Sequence, residues 1–68
     1  MTVENQIRER RTALGLTQQG LAEEVGVSRR TIISIEQGRH EPTLSLAFSL
    51  ARVFGASLEE LFSLARDD

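Results

Sequence analysis

Sixty-eight residues suffice for one small domain, near the lower size at which a chain folds without staples. The chain has no cysteine, which excludes disulfides and thiolate metal centres and leaves packing or self-association to supply stability. The net charge of −2 argues, taken alone, against a polyanionic partner, but six arginines face five glutamates up to Arg39 and only two face five acids beyond it.

The opening residues Met1 to Gln6 are too polar for a signal peptide, and no apolar run approaches the length that spans a bilayer. A cytoplasmic location with no membrane partner is therefore expected. A first helix is predicted from Val3 or Glu4 to Leu14, with Val3, Ile7, Arg11 and Leu14 on one face and Gly15 as its stop. Thr17 can cap a second helix by accepting from one of the backbone N–H groups that a helix start leaves unpaired. Leu21, Ala22 and Val25 give that helix a narrow apolar face, and Gly26 supplies the left-handed residue that ends it. Ser28 is the next hydroxyl cap, followed by Arg29 and Arg30 and by an inner face of Ile32 and Ile35, with Gly38 at the end. Two short helices joined by a glycine turn, the second opening on a cap and two arginines, make the pattern of a DNA-binding helix-turn-helix.

Gly38 to Pro42 reads as a loop, because Pro42 lacks an N–H and disfavours helix at Glu41. Thr43 is placed to cap a fourth helix from Leu44 to Phe54. Its inward face is Leu44, Ala47, Leu50, Ala51 and Phe54, with Phe48 and Val53 at the flanks and Gly55 closing it. Ser57 and Glu60 form a capping box for a fifth helix from Leu58 to Ala65, whose apolar face is Leu58, Leu61, Phe62 and Ala65. Arg66 to Asp68 is expected to fray. No segment alternates as a strand, so the expected fold is all-α, five short helices around one core formed by residues 1–68 as a single domain.

The segment Leu14-Gly15-Leu16-Thr17-Gln18, with Leu21-Ala22, Gly26-Val27-Ser28, Ile32, Ile35-Glu36, Gly38, Pro42, Leu50-Ala51 and Gly55-Ala56-Ser57-Leu58, resembles the Cro/CI-type helix-turn-helix regulators, also called the xenobiotic-response-element family. The likeness covers residues 7 to 62. It implies a compact, lambda-repressor-like domain that binds double-stranded operator DNA and regulates transcription. It also implies that Arg11 and Glu36 form a partly buried ion pair joining the first helix to the third; the alternative is a solvated Arg11. By the same resemblance Gln18 and the backbone N–H groups beside it hold a phosphate, assisted by Thr17 or Gln19, or else Gln18 is solvated.

In a helix-turn-helix the N-terminal residues of the second helix meet base edges in the major groove. Those positions here are Ser28, Arg29, Arg30, Ile33 and Ser34. Arginine can pair with guanine O6 and N7, serine donates or accepts, and isoleucine can pack on a thymine methyl. The alternatives are phosphate contacts only for the two arginines and burial for Ile33. Gln37, Arg39 and His40 are candidates for the phosphate backbone on the far side, and Arg8 and Arg10 are second-tier ones. One such domain carries few base contacts, so a homodimer on a palindromic operator is expected, through Ala56, Leu58, Leu61 and Leu64 on the fold itself; Leu58 and Leu61 can equally belong to the core.

Catalysis is not expected. An enzyme needs a nucleophile with a base, a paired acid and base, or a metal cage, and this chain offers one loop histidine and carboxylates accounted for by caps and solvated faces. No cofactor or small-molecule site is expected either. The rival reading is a protein-interaction module of the same fold, such as an antitoxin or anti-repressor partner, which would have no reason to keep Arg29 and Arg30 beside Ser28.

Overall fold

The computed structural model describes residues 2–65. In chain order these form a strand β1 (Thr2–Asn5), helices α1 (Ile7–Ala13), α2 (Gln18–Val25), α3 (Arg29–Glu36), α4 (Leu44–Phe54) and α5 (Leu58–Leu61), and a strand β2 (Phe62–Ala65). Four helices start on the hydroxyl caps read from the sequence. Thr17, Ser28, Thr43 and Ser57 accept from the backbone N–H groups of Gly20, Thr31, Leu46 and Glu60. At Ser57 the box is reciprocal, because Glu60 Oε1 accepts from the Ser57 N–H at 2.9 Å. Gly26, at φ 74°, ends α2 in the left-handed region, where a Cβ would be strained, and its N–H bonds the Ala22 carbonyl.

The helices close around Ile7, Leu21, Ala22, Ile32, Ile35, Leu50, Ala51 and Leu61. Six of these, Ile7, Leu21, Ile32, Ile35, Leu50 and Leu61, are large side chains sealed from solvent. Each removes enough apolar surface from water to contribute about 1.5–3 kcal/mol of transfer free energy. They come from all five helices, so no helix pair carries the core alone.

The fold is not all-α. β1 and β2 pair antiparallel, with Val3 opposite Leu64 and Asn5 opposite Phe62. Val3 and Glu4 therefore belong to a strand, and α1 starts at Ile7 because Asn5 Oδ1 accepts from the Ile7 N–H at 3.1 Å, while the Gln6 N–H is taken by the Leu61 carbonyl at 3.0 Å. The fifth helix is correspondingly one turn. Phe62 turns extended at φ −125°, ψ 146° to meet Asn5. The helical spacing of Leu58, Leu61, Phe62 and Ala65 was a real local signal, overridden by pairing between the two ends of the chain.

Two apolar positions also fall elsewhere than their spacing predicts: Leu14 caps the end of α1 and is exposed, and Leu44 at the start of α4 is 68 % exposed. Phe48, expected at the flank of α4, is 55 % exposed. The frayed end expected at 66–68 lies outside the described residues.

Candidate nucleic-acid interface

The α2–turn–α3 unit divides its side chains between core and solvent. Leu21 and Ala22 of α2 and Ile32 and Ile35 of α3 are fully buried, which fixes how both helices sit. Ser28, Arg29 and Arg30 at the start of α3 are exposed, and Ile33 and Ser34 one turn on are half-buried. The sequence-predicted base-reading positions thus share one open end of α3. Two arginines in the first turn oppose the helix dipole, and α3 has no acidic residue there to offset them.

The hydroxyls at this end are already engaged. Ser28 Oγ accepts from the Thr31 N–H at 3.2 Å and lies 3.0 Å from Thr31 Oγ1, and Thr17 Oγ1 accepts from Gly20 N–H at 2.9 Å. A DNA contact from either hydroxyl would be added to a capping role.

Beneath the exposed residues lies a polar network. Arg11 Nε donates to Glu36 Oε2 at 2.6 Å and its Nη2 donates to Glu36 Oε1 at 3.3 Å. The side chains of Arg11 and Glu36 are only 11 % and 5 % exposed. Arg11 Nη1 also donates to the Leu16 carbonyl at 2.9 Å, so one guanidinium holds the α1–α2 loop and the end of α3 together. Gln18 Nε2 donates to Glu36 Oε1 at 3.2 Å, and Arg29 Nη2 reaches Gln18 Oε1 at 3.4 Å. The Gln18 amide is thus held at both ends, with one N–H remaining.

The other candidates separate. Gln19 is exposed and donates to Glu23 on its own helix at 3.0 Å. Arg8 borders the cleft formed with Thr17, Gln18, Ile33 and Gln37. Arg10 does not border it and is half-buried. Gln37, Arg39 and His40 are exposed after α3. Of the residues expected at a dimer surface, Leu64 is 65 % exposed and Ala56 and Leu58 are half-buried. Leu61 is sealed in the core and is not available to a partner.

Asn5 was missed. Its Nδ2 donates at 3.0 Å to the Ile35 carbonyl, which also accepts from the Gly38 N–H, while its Oδ1 accepts from the Ile7 N–H that opens α1. An Asn shortly before an apolar-periodic run is a capping signal, and here it was hidden by the apparent helix through Val3.

Among the described residues no cluster of His, Asp or Glu could hold a metal ion, and no helix is long and apolar enough to cross a membrane. A helix-turn-helix family model, HTH_3, matches residues 7–61. An uncharacterised HTH-type transcriptional regulator of Methanocaldococcus jannaschii is 42 % identical over 66 residues, 97 % of this chain and all of that protein. One from Methanothermobacter thermautotrophicus is 53 % identical over 62 residues, 90 % of each chain. Among solved structures, the restriction-modification controller protein C.AhdI of Aeromonas hydrophila superposes with a TM-score of 0.74 at 33 % identity, covering 81 % of this chain and 83 % of that one. The match spans both helices of the turn, the caps before them and the core behind them, and these relatives are regulators rather than enzymes. The chain belongs to the Cro/CI-type helix-turn-helix family of DNA-binding transcriptional regulators.

Proposed function

We propose that this protein is a sequence-specific repressor that binds a palindromic operator as a homodimer, with α3 in the major groove. The observation that carries this reading is the division of α3: its inner face is sealed in the core while Arg29 and Arg30 stand exposed at its start. Arg29 and Arg30 read guanine edges, Ser28, Ile33 and Ser34 complete the base-facing surface, and Gln18 with its neighbouring backbone holds a phosphate. Thr17, Gln19, Gln37, Arg39 and His40 grip the flanking backbone. The single domain acts in the cytoplasm, where its operator is. It needs no cofactor, and occupancy of a promoter is its means of repression.

Dimerisation is supported by an apolar surface that β1, β2 and the starts of α4 and α5 share. Val3, Leu58, Phe62 and Leu64 line one shallow hollow, and Pro42, Leu44 and Ala47 extend it. Leu61 of the expected set is replaced by Val3, Leu44 and Phe62. A two-fold pair through this surface would set the two α3 helices on half-sites about one DNA turn, ~34 Å, apart.

The test is selection from a random duplex pool, repeated with Arg29→Ala/Arg30→Ala. The wild type should enrich a palindrome with half-sites one turn apart. Each single substitution should cost about 1–3 kcal/mol and relax preference at one base position. Uniform weakening of all sequences would mean that α3 touches only phosphates. Failure of the wild type to enrich any duplex at moderate salt would favour the protein-interaction reading.

A further inference from the structure

β1 and β2 pair with Val3 opposite Leu64 and Asn5 opposite Phe62, so the pleat puts these four side chains on one face of the sheet. Asn5 and Phe62 stand at the end next to the helices, where the Gln6 N–H bonds the Leu61 carbonyl at 3.0 Å. Val3 and Leu64 lie two residues farther out and line the apolar hollow. Among the described residues, the one side-chain hydrogen bond from this sheet to α3 is that of Asn5 Nδ2 to the Ile35 carbonyl, at 3.0 Å. The same amide accepts at Oδ1 from the Ile7 N–H at 3.1 Å. One partner is an acceptor, the other a donor, and they belong to different helices. A carboxylate only accepts, and a serine hydroxyl is one atom shorter and has a single proton, so an amide at position 5 is what holds both.

We propose that Asn5 is a positioning residue for half-site spacing, its amide tying the sheet that carries the dimer surface to the far end of the recognition helix α3. The proposal rests on the reading that the chain binds a palindrome as a dimer through the surface the strands share. On that reading the start of α3 meets one half-site while Val3, Phe62 and Leu64 meet the second copy. The distance between the two α3 helices then depends on the angle at which each sheet lies on its helices. A sheet of two four-residue strands is marginal by itself and takes its orientation from what it is tied to. α3 is held independently of Asn5, by the buried Ile32 and Ile35 and by the Arg11–Glu36 pair. Losing the bond to Ile35 therefore frees the sheet against the helices rather than loosening α3. Two-fold symmetry doubles the slack, because both protomers move alike. Each added base pair shifts a half-site about 3.4 Å along the duplex and turns it by about 35°, so slack in the sheet appears as tolerance to spacing and not as a changed choice of base.

The experiment measures the affinities of wild type, Asn5→Asp and Asn5→Ser for palindromes built from the half-site selected out of a random pool, with spacers lengthened or shortened by single base pairs. Both substitutions keep an acceptor for the Ile7 N–H, and with it the turn into α1, and both lose the tie to Ile35. Asn5→Ser adds no charge, which separates the lost tie from repulsion of DNA by a new carboxylate. A single cooperative melt for each variant confirms the fold. Wild type should prefer one spacer. In both variants its preference over the neighbouring spacers should shrink by about threefold or more, while the preferred bases within each half-site stay the same. The proposal is overturned if both variants keep the wild-type spacer profile and only weaken every duplex alike; Asn5 then serves stability alone and the dimeric DNA reader stands. A change confined to Asn5→Asp assigns the effect to charge and overturns it as well. A wild type that binds an isolated half-site as tightly as any palindrome would instead remove the dimer reading, and the role of Asn5 with it.

Discussion

Arg11 shows how much one side chain can organise. Its guanidinium makes a two-point bond to Glu36 and a third to the Leu16 carbonyl, in surroundings where both charged side chains are nearly sealed. Removing one member of such a pair strands the other charge away from water, which costs about 3–5 kcal/mol, whereas replacing both with apolar groups restores much of the loss. Arg11→Met and Glu36→Leu should therefore each destabilise more than the double variant does. Urea unfolding of the three proteins measures this; single losses that simply add would show a pair with no mutual dependence. The residue types and spacing behind this pair were legible only through family resemblance. Nothing in the local sequence says which anion an arginine on an inward stripe will find.

At the scale of the element, the helix starts were the most legible features of the chain. Each hydroxyl cap acts within one turn, so its partner is fixed by sequence separation alone. The box at α5 adds a titration. Hydrogen bonds from the Ser57 backbone N–H and hydroxyl, helped by the charge of Arg10, hold the Glu60 carboxyl below the ordinary glutamate range. A folded pKa lowered in this way contributes stability that is whole above the ordinary glutamate value and is lost as pH falls through the lowered one. Thermal midpoints followed from about pH 7 to about pH 3 should fall more steeply at the acid end for the wild type than for Glu60→Gln, which retains an acceptor but does not titrate. Parallel curves would show that the box carries no pH dependence. The element limits that were misread, α1 and α5, are those where pairing between β1 and β2 competes with helix, and a strand four residues long leaves almost no alternation to detect.

The whole molecule, 36 × 23 × 21 Å, has its two arginines at one helix start and its exposed leucines elsewhere. Leu44 at 68 % and Leu64 at 65 % exposure flank Val3, Leu58 and Phe62, an apolar surface that water leaves unfavourably solvated in a single copy. Leu64→Glu should raise the dimer dissociation constant at least about tenfold, since a charge buried at an interface centre costs more than about 2 kcal/mol, and should leave the monomer folded. Sedimentation equilibrium with and without operator DNA reads the effect. A wild type that stays monomeric at every concentration in both conditions would defeat the dimer.

What the sequence by itself determined is whatever acts within a turn or two: the hydroxyl caps, the glycine at φ 74° between α2 and α3, the alternation of sealed and open positions along α3, and hence the helix-turn-helix with its exposed arginines. These are short-range interactions whose partners are set by chain separation. Tertiary structure alone decided that the two ends of the chain meet as strands, that Leu61 is core while Leu44 is surface, and that Gln18 is clasped between Glu36 and Arg29. Each of these depends on which distant groups arrive at the same place, and that is settled by how the helices pack, since local spacing favours the same helical register whether or not a partner strand is there to break it.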